Sequence, residues 1–159
     1  MIVGKQSILF EENVYIEETA CVAGQKESEG PLGKLFDVVV EDAMAGMENW
    51  EEAESTLQQL AMDKLLEKWD GKKEDLRYIF AGDLLGQLIA TSFGLMQYEI
   101  PMFGLYGACS TFGEALSLAA MTVHAGYAGH VIALASSHFA SAEKQFRYPL
   151  EYGNQRPPA

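Results

Sequence analysis

From residue 50 onward the chain first keeps one helical period and then alternates short apolar runs with further helical stretches. Trp50, Ala53, Leu57, Leu60, Ala61 and Leu65 recur at three- and four-residue spacing, which predicts an apolar stripe on a helix over residues 50–69. Asn49 is a suitable N-cap, and Glu52 three places later completes a capping-box pattern. Glu51, Glu52 and Glu54 load the first turns while Lys64 and Lys68 sit near the end, matching the helix dipole at both ends. Asp70-Gly71 ends the pattern. One stripe means one buried face, so this is expected to be a surface helix.

Beyond it, residues 76–81 read as a strand and Gly82-Asp83 as a cap for a helix over 84–98. A buried strand at 100–106, a helix at 111–125 and a strand at 130–136 follow. Strands alternating with helices imply right-handed βαβ units and a mostly parallel sheet, an α/β fold. The helix at 111–125 is different in kind. Phe112, Ala115, Leu116, Leu118, Ala119, Met121 and Val123 cover most of its directions, the pattern of a helix buried on both sides. One sheet cannot do that, so a further sheet or a partner chain is expected behind it. His124, inside that helix, reads as a hydrogen-bonded core residue. The first 30 residues hold two short strand-like runs, 7–10 and 13–16, then a polar loop at 24–30. Pro31 and Gly33 suggest an ordered loop at 31–37. After Ser141 the tail is polar and proline-rich.

Charge narrows the possible partners. The 159-residue chain carries a net charge of −12, which argues against nucleic acid. Only five of its 23 acidic residues, Asp83, Glu99, Glu114, Glu143 and Glu151, follow Asp75, so the first half reads as solvated surface and the neutral second half as core. The neutral stretch is broken by His124, Gly126, Gly129 and His130, which leaves no apolar run of the roughly 20 residues a spanning helix needs. The start lacks the apolar region of a signal peptide. Cys21 and Cys109 make neither a disulfide framework nor a zinc quartet, and a reducing compartment is the natural inference. Cys21, in a short apolar segment, reads as structural. No metal-ligand spacing and no phosphate-loop or dinucleotide glycine pattern is present, so no cofactor is expected.

The candidate chemistry collects where strands should end. In an α/β sheet a ligand site belongs at the carboxyl ends of the strands. Three groups map there: Gly82-Asp83 with Gln87, Cys109 with Ser110 and Thr111, and Ser136-Ser137-His138. Cys109 stands where the strand at 100–106 hands over to a helix, near unpaired N–H groups and the positive helix end, which favour a thiolate or a bound anion. Cysteine is also among the most buried residue types, so from the residue alone a packing role is the commoner reading. Asp83 alone reads as a helix cap, and His138 alone as a surface histidine. A thiolate–imidazolium pair of Cys109 with His138 depends on a distance the sequence does not give.

Several runs carry a specific resemblance. Gly107-Ala108-Cys109-Ser110-Thr111, Ser136-Ser137-His138, the run from Ala142 to Pro149 with Arg147-Tyr148-Pro149 at its end, and Glu151-Tyr152-Gly153 resemble the stage V sporulation protein AD family of spore-forming bacteria. So do Gly30-Pro31-Leu32-Gly33, Asn49-Trp50-Glu51 and Ala81-Gly82-Asp83-Leu84-Leu85. That family is similar in fold to thiolases and ketoacyl synthases: two similar halves, each a mostly parallel five-stranded sheet with helices, packed as αβαβα layers. The resemblance implies that Cys109 occupies the thiolase nucleophile position and that the helix after it fills the central layer. It implies binding of pyridine-2,6-dicarboxylate (dipicolinic acid) and help in moving it into the developing spore, without acyl-transfer activity. The action is expected at the spore inner membrane, peripherally, with membrane proteins of the same operon. Candidate ligand contacts are Cys109, Ser110, Thr111, Phe112, Asp83, Gln87, His138, Lys144, Arg147 and Tyr148. The alternative is thiolase-type acyl transfer with Cys109 as nucleophile. The chain stops at Ala159, near the family's midpoint, so residues 1–159 are expected to form one amino-terminal half-domain, with a carboxyl-terminal thiolase-like half as partner if the molecule is to be complete. The continuous apolar strand at 130–136 suits burial, and by the resemblance it pairs with its copy in a homodimer centred near Ala133.

Overall fold

The computed structural model describes residues 2–146. Arg147 and Tyr148 of the candidate site, and the tail beyond them, lie outside the described residues. A short antiparallel hairpin comes first, β1 (Ile2–Val3) with β2 (Ser7–Ile8). β3 (Val22–Gly24) runs parallel to β4 (Val38–Val40), and a single helical turn, α1 (Gln25–Ser28), leads away from β3. The long helix α2 (Trp50–Lys68) precedes β5 (Leu76–Gly82), α3 (Ile89–Leu95), β6 (Met102–Gly104), α4 (Thr111–His124), β7 (His130–Ala135) and α5 (Phe139–Phe146). This is the mixed α/β arrangement that the alternation predicts.

The main sheet has three parallel strands in the order β6-β5-β7, with Ile79 opposite Met102 on one side and Ile132 on the other. Side chains alternate across it, as the two-residue period of a strand requires. Leu76, Ile79, Ala81, Ile132 and Leu134 face α2 and α3, where they pack on Met62, Leu95 and Tyr98. Phe80, Tyr78, Val131 and Ala133 face α4, where they meet Ala115, Ala119 and Leu118. Ile79 and Met62 are wholly buried, each worth on the order of 2 kcal/mol of transfer free energy. Among the described residues β6 and β7 are each paired on one side only. Of the five strands that the family resemblance implies for one sheet, three lie here; β3 and β4 form a separate pair beside α2.

Several elements depart from the sequence reading. Residues 13–16 form no strand, and the polar loop at 24–30 contains α1. The segment at 31–37 holds a 3-10 turn, Gly33–Leu35. The predicted helix at 84–98 starts late: Gln87 and Leu88 both take left-handed backbone angles (φ 58° and 52°) before α3 begins at Ile89. In α2 the Asn49 cap forms as expected, Glu52 N–H donating to Asn49 Oδ1 at 2.8 Å. The buried face of α2 is only partly the apolar stripe, however. Ala53 and Met62 are buried together with Glu54, Ser55 and Gln58, while Leu57, Leu60, Ala61 and Leu65 are half-buried.

α4 is covered on one side. Thr111, Ala115 and Ala119 are buried, whereas Phe112, Leu116 and Met121 are 52%, 37% and 40% exposed. The all-round apolar pattern therefore has one face packed on the sheet and one that no described residue covers. His124 is exposed rather than a core residue, because it sits at the carboxyl end of α4, where its ring meets Phe10 at 5.1 Å. Cys21 is exposed too, its N–H donating to Asp37 Oδ2 at 2.8 Å.

Candidate functional site

Gly82 closes β5 and lets the chain pass hard against the end of β6. A Cβ there would lie 1.9 Å from Leu105 O, and Leu105 N–H donates to Ala81 O at 2.8 Å. The next residue, Asp83, is 1% exposed and its carboxylate is fully occupied. Oδ1 accepts from Leu85 N–H at 2.7 Å, and Oδ2 accepts from Thr91 N–H at 2.7 Å and Thr91 Oγ1 at 2.5 Å. Thr91 is the third residue of α3, and Leu88 at the helix start offers no side-chain cap. Asp83 thus supplies from a distance the acceptor that a helix N-terminus lacks. Of the two readings of Asp83, the structure supports the cap. Gln87 is exposed in its left-handed turn and does not join this cluster.

The second group forms a sharp strand-to-helix junction. Ala108 has φ 50°, a left-handed conformation costly for a residue with a Cβ. It presents Cys109 and Ser110 to the outside, and both are exposed. Thr111 is buried instead and closes the turn, its Oγ1 accepting from Gly107 N–H at 3.1 Å. Ser110 Oγ donates to Gly107 O at 2.8 Å and is also hydrogen-bonded to Glu114. No side chain caps the first turn of α4; its first N–H, that of Thr111, donates to Ala108 O in the preceding 3-10 turn. A groove lined by Cys109, Ser110, Gly113, Glu114, Ser117 and Leu118 runs along this turn, with Phe112 exposed on the same turn.

The third group turns the other way, toward α2. Ser136 Oγ donates to Glu54 Oε1 at 2.7 Å and accepts from Gln58 Nε2 at 2.7 Å. Gln58 Nε2 also donates to Thr91 Oγ1 at 2.9 Å, which joins this group to Asp83. The His138 ring is held at both nitrogens. Nδ1 accepts from the N–H groups of Ala140 (3.2 Å) and Ser141 (3.4 Å) at the start of α5. Nε2 must then carry the proton, which it donates to Ala43 O at 2.7 Å. Trp50 packs on the ring at 5.4 Å. His138 in this structure anchors α5, and among the described residues no contact joins it to Cys109. Lys144 Nζ pairs with Glu51 Oε1 at 2.8 Å, which ties α5 to α2.

The strand ends therefore converge in two places rather than one. Cys109, Ser110 and Phe112 border an open groove, while Asp83, Ser136 and His138 belong to a buried polar cluster with Glu54, Gln58, Thr91 and Ser141. Glu54 and Gln58 escape a reading of α2 by its apolar stripe alone, and nothing local marks the hydroxyls of Thr91 and Ser141 as buried. Glu54, Gln58 and Met62 recur at four-residue spacing, and that repeat was the available signal. Among the described residues no group of three or more His, Cys, Asp or Glu is placed to hold a metal, and no helix is long and apolar enough to cross a membrane.

An α/β half with an exposed cysteine between a parallel strand and a half-covered helix is consistent with one layer pair of a thiolase-like molecule. Residues 4–159 match the family model of Stage V sporulation protein AD (SpoVAD), and the chain belongs to that family. It is 39% identical over 156 residues, 98% of its length, to Stage V sporulation protein AD of Bacillus subtilis (strain 168). The chain spans 46% of the length of that relative. Its family is thus one of sporulation proteins.

Proposed function

We propose that this chain forms the amino-terminal half of a non-catalytic binding protein for dipicolinic acid and supports uptake of that compound into the developing spore. The observation that carries the proposal is the family match over nearly the whole chain. The open junction at Cys109 supports the location of the site. The amino-terminal end of α4, which no side chain caps, suits a carboxylate, and the exposed Phe112 ring can stack on a flat aromatic ligand. Glu114 lines the same groove and opposes a dianion, so a cation must offset it. Lys144 is paired with Glu51 and His138 is tied to Ala43 O and the start of α5, so Arg147 is the candidate, since a guanidinium grips a carboxylate bidentately.

In this proposal the uncovered side of α4 packs against a carboxyl-terminal thiolase-like half, and the molecule works beside membrane proteins of its operon at the spore inner membrane. Pairing of β7 with a second copy belongs to the same proposal, supported by its open outer edge. Ala133 packs under α4, so a charge placed there would disturb the fold before it reported on pairing. The test is calorimetry with dipicolinic acid on protein that contains both halves. Arg147→Ala should weaken binding about tenfold or more, the loss of one charge-assisted contact. Unchanged affinity would remove Arg147 and with it the site assigned here.

One observation favours acyl transfer as a second reading: the exposed Cys109 follows a left-handed Ala108, the kind of turn that holds a nucleophile forward. Acyl-coenzyme A and intact-mass measurement separate the two. A stable adduct on Cys109 supports the enzyme, and an unmodified mass supports the binding protein.

A further inference from the structure

Glu54 is the one carboxylate that is wholly buried on α2, and its surroundings show how it can stay there. It is 0% exposed, and both of its oxygens meet hydroxyl groups. Oε1 receives the Ser136 hydroxyl at 2.7 Å, and Oε2 is hydrogen-bonded to Ser141. Ser141 is itself 1% exposed and lies 2.9 Å from His138 O, a second acceptor. A hydroxyl carries one proton and cannot serve both acceptors fully. Among the described residues no arginine or lysine contacts Glu54, and Lys144 pairs with Glu51, one turn earlier on the same helix.

His138 O also receives Ala142 N–H at 3.0 Å, so charge decides: with the proton on Glu54 the buried carboxyl carries none and each hydroxyl keeps an acceptor. Its Oε2–H then donates to Ser141 Oγ, Ser141 donates to His138 O, and Ser136 still donates to Oε1. Gln58 spends both Nε2 hydrogens on Ser136 and Thr91, and Thr91 passes its own to Asp83, so every donor in the chain has one acceptor. From this geometry we infer that Glu54 is a protonated latch at neutral pH, which fastens the end of β7 and the start of α5 to α2.

The influences on Glu54 differ in sign, and their balance is upward. Burial is the largest influence on Glu54 and pushes its carboxyl up, and the anionic Asp83 at the end of β5 pushes the same way. The Ser141 and Ser136 hydrogen bonds and His138 act in the opposite direction. α3, β3 and β4, which also pack on α2, carry no titratable side chain, and α5 adds Glu143 and the paired Lys144. What the latch holds is the segment that bears His138 and leads to Arg147. The inference stands on the fold alone and does not depend on any ligand.

A group whose folded pKa is raised favours the folded state fully below its unfolded pKa, and that contribution is lost as pH rises toward the raised folded value. The chain's thermal midpoint, followed from pH 5 to 9 beside that of Glu54→Gln, is the first test. The amide keeps the shape and donates as the acid does. The midpoint of the native chain should fall relative to the variant by on the order of 3 °C per pH unit from pH 5 upward until the raised folded pKa is passed, and level off beyond it. Parallel curves would overturn the latch. The second test needs no variant: infrared spectra of chain labelled with 13C at glutamate carboxyls. A protonated-carboxyl band that persists at pH 7.5 supports the inference. Its absence at pH 7.5, with the chain folded, overturns it.

Discussion

Removing the Asp83 carboxylate tests whether this residue holds the fold or a ligand. In Asp83→Ala three donors lose their acceptor: Leu85 N–H, Thr91 N–H and the Thr91 hydroxyl. Leu85 and Thr91 are both 0% exposed, so water reaches neither without local opening. A hydrogen bond to a charged acceptor contributes about 1.5–3 kcal/mol, and stranded buried donors add a desolvation penalty. The three share one carboxylate and are not additive, so the expected loss is about 3–5 kcal/mol. For a chain of this size that lowers the thermal midpoint by on the order of 10 °C. Urea unfolding followed by circular dichroism gives the same quantity, and Asp83→Asn, which keeps one acceptor, should fall between the two. A loss below about 1 kcal/mol in Asp83→Ala, together with lost dipicolinate binding, would refute the capping role and return Asp83 to the ligand site.

Gly82→Ala should destabilise the chain by about 3 kcal/mol or more, because the new methyl collides with the carbonyl of Leu105, whose N–H joins the ends of β5 and β6; a folded variant with an unchanged urea midpoint would contradict the close approach. Lys144→Met should cost no more than about 1 kcal/mol by the same measurement, since its Glu51 partner is a surface ion pair and the Glu54 cluster holds α5.

The parts of the fold that were legible share one property: local sequence and tertiary environment ask for the same thing. Asn49 and Glu52 marked the start of α2, and the strand expected over 76–81 is β5, whose side chains the structure buries on both faces. The start of α3 was misplaced because its cap comes from Asp83, six residues before the first helical position, so no local cap marks Ile89. The inner face of α2 was misread because buried polar residues look like solvated ones until their partners are known. Those partners are Ser136 and Ser141, more than 80 residues away. Cys109 was legible as a junction residue, since Gly104, Gly107 and the hydroxyls of Ser110 and Thr111 mark the change of direction. Its exposure was not, because burial of a cysteine depends on what lies behind the helix.

Ligand protection of Cys109 against alkylation tests the proposed binding site most directly. Both cysteines of the chain are exposed, so Cys21, which precedes β3 outside the main sheet, is an internal control within the same molecule. With the complementary half present, saturating dipicolinic acid should slow iodoacetamide modification of Cys109 at least tenfold and leave the rate at Cys21 unchanged. Equal rates at Cys109 with and without the ligand, under conditions where calorimetry shows it bound, would place the ligand elsewhere and contradict the account.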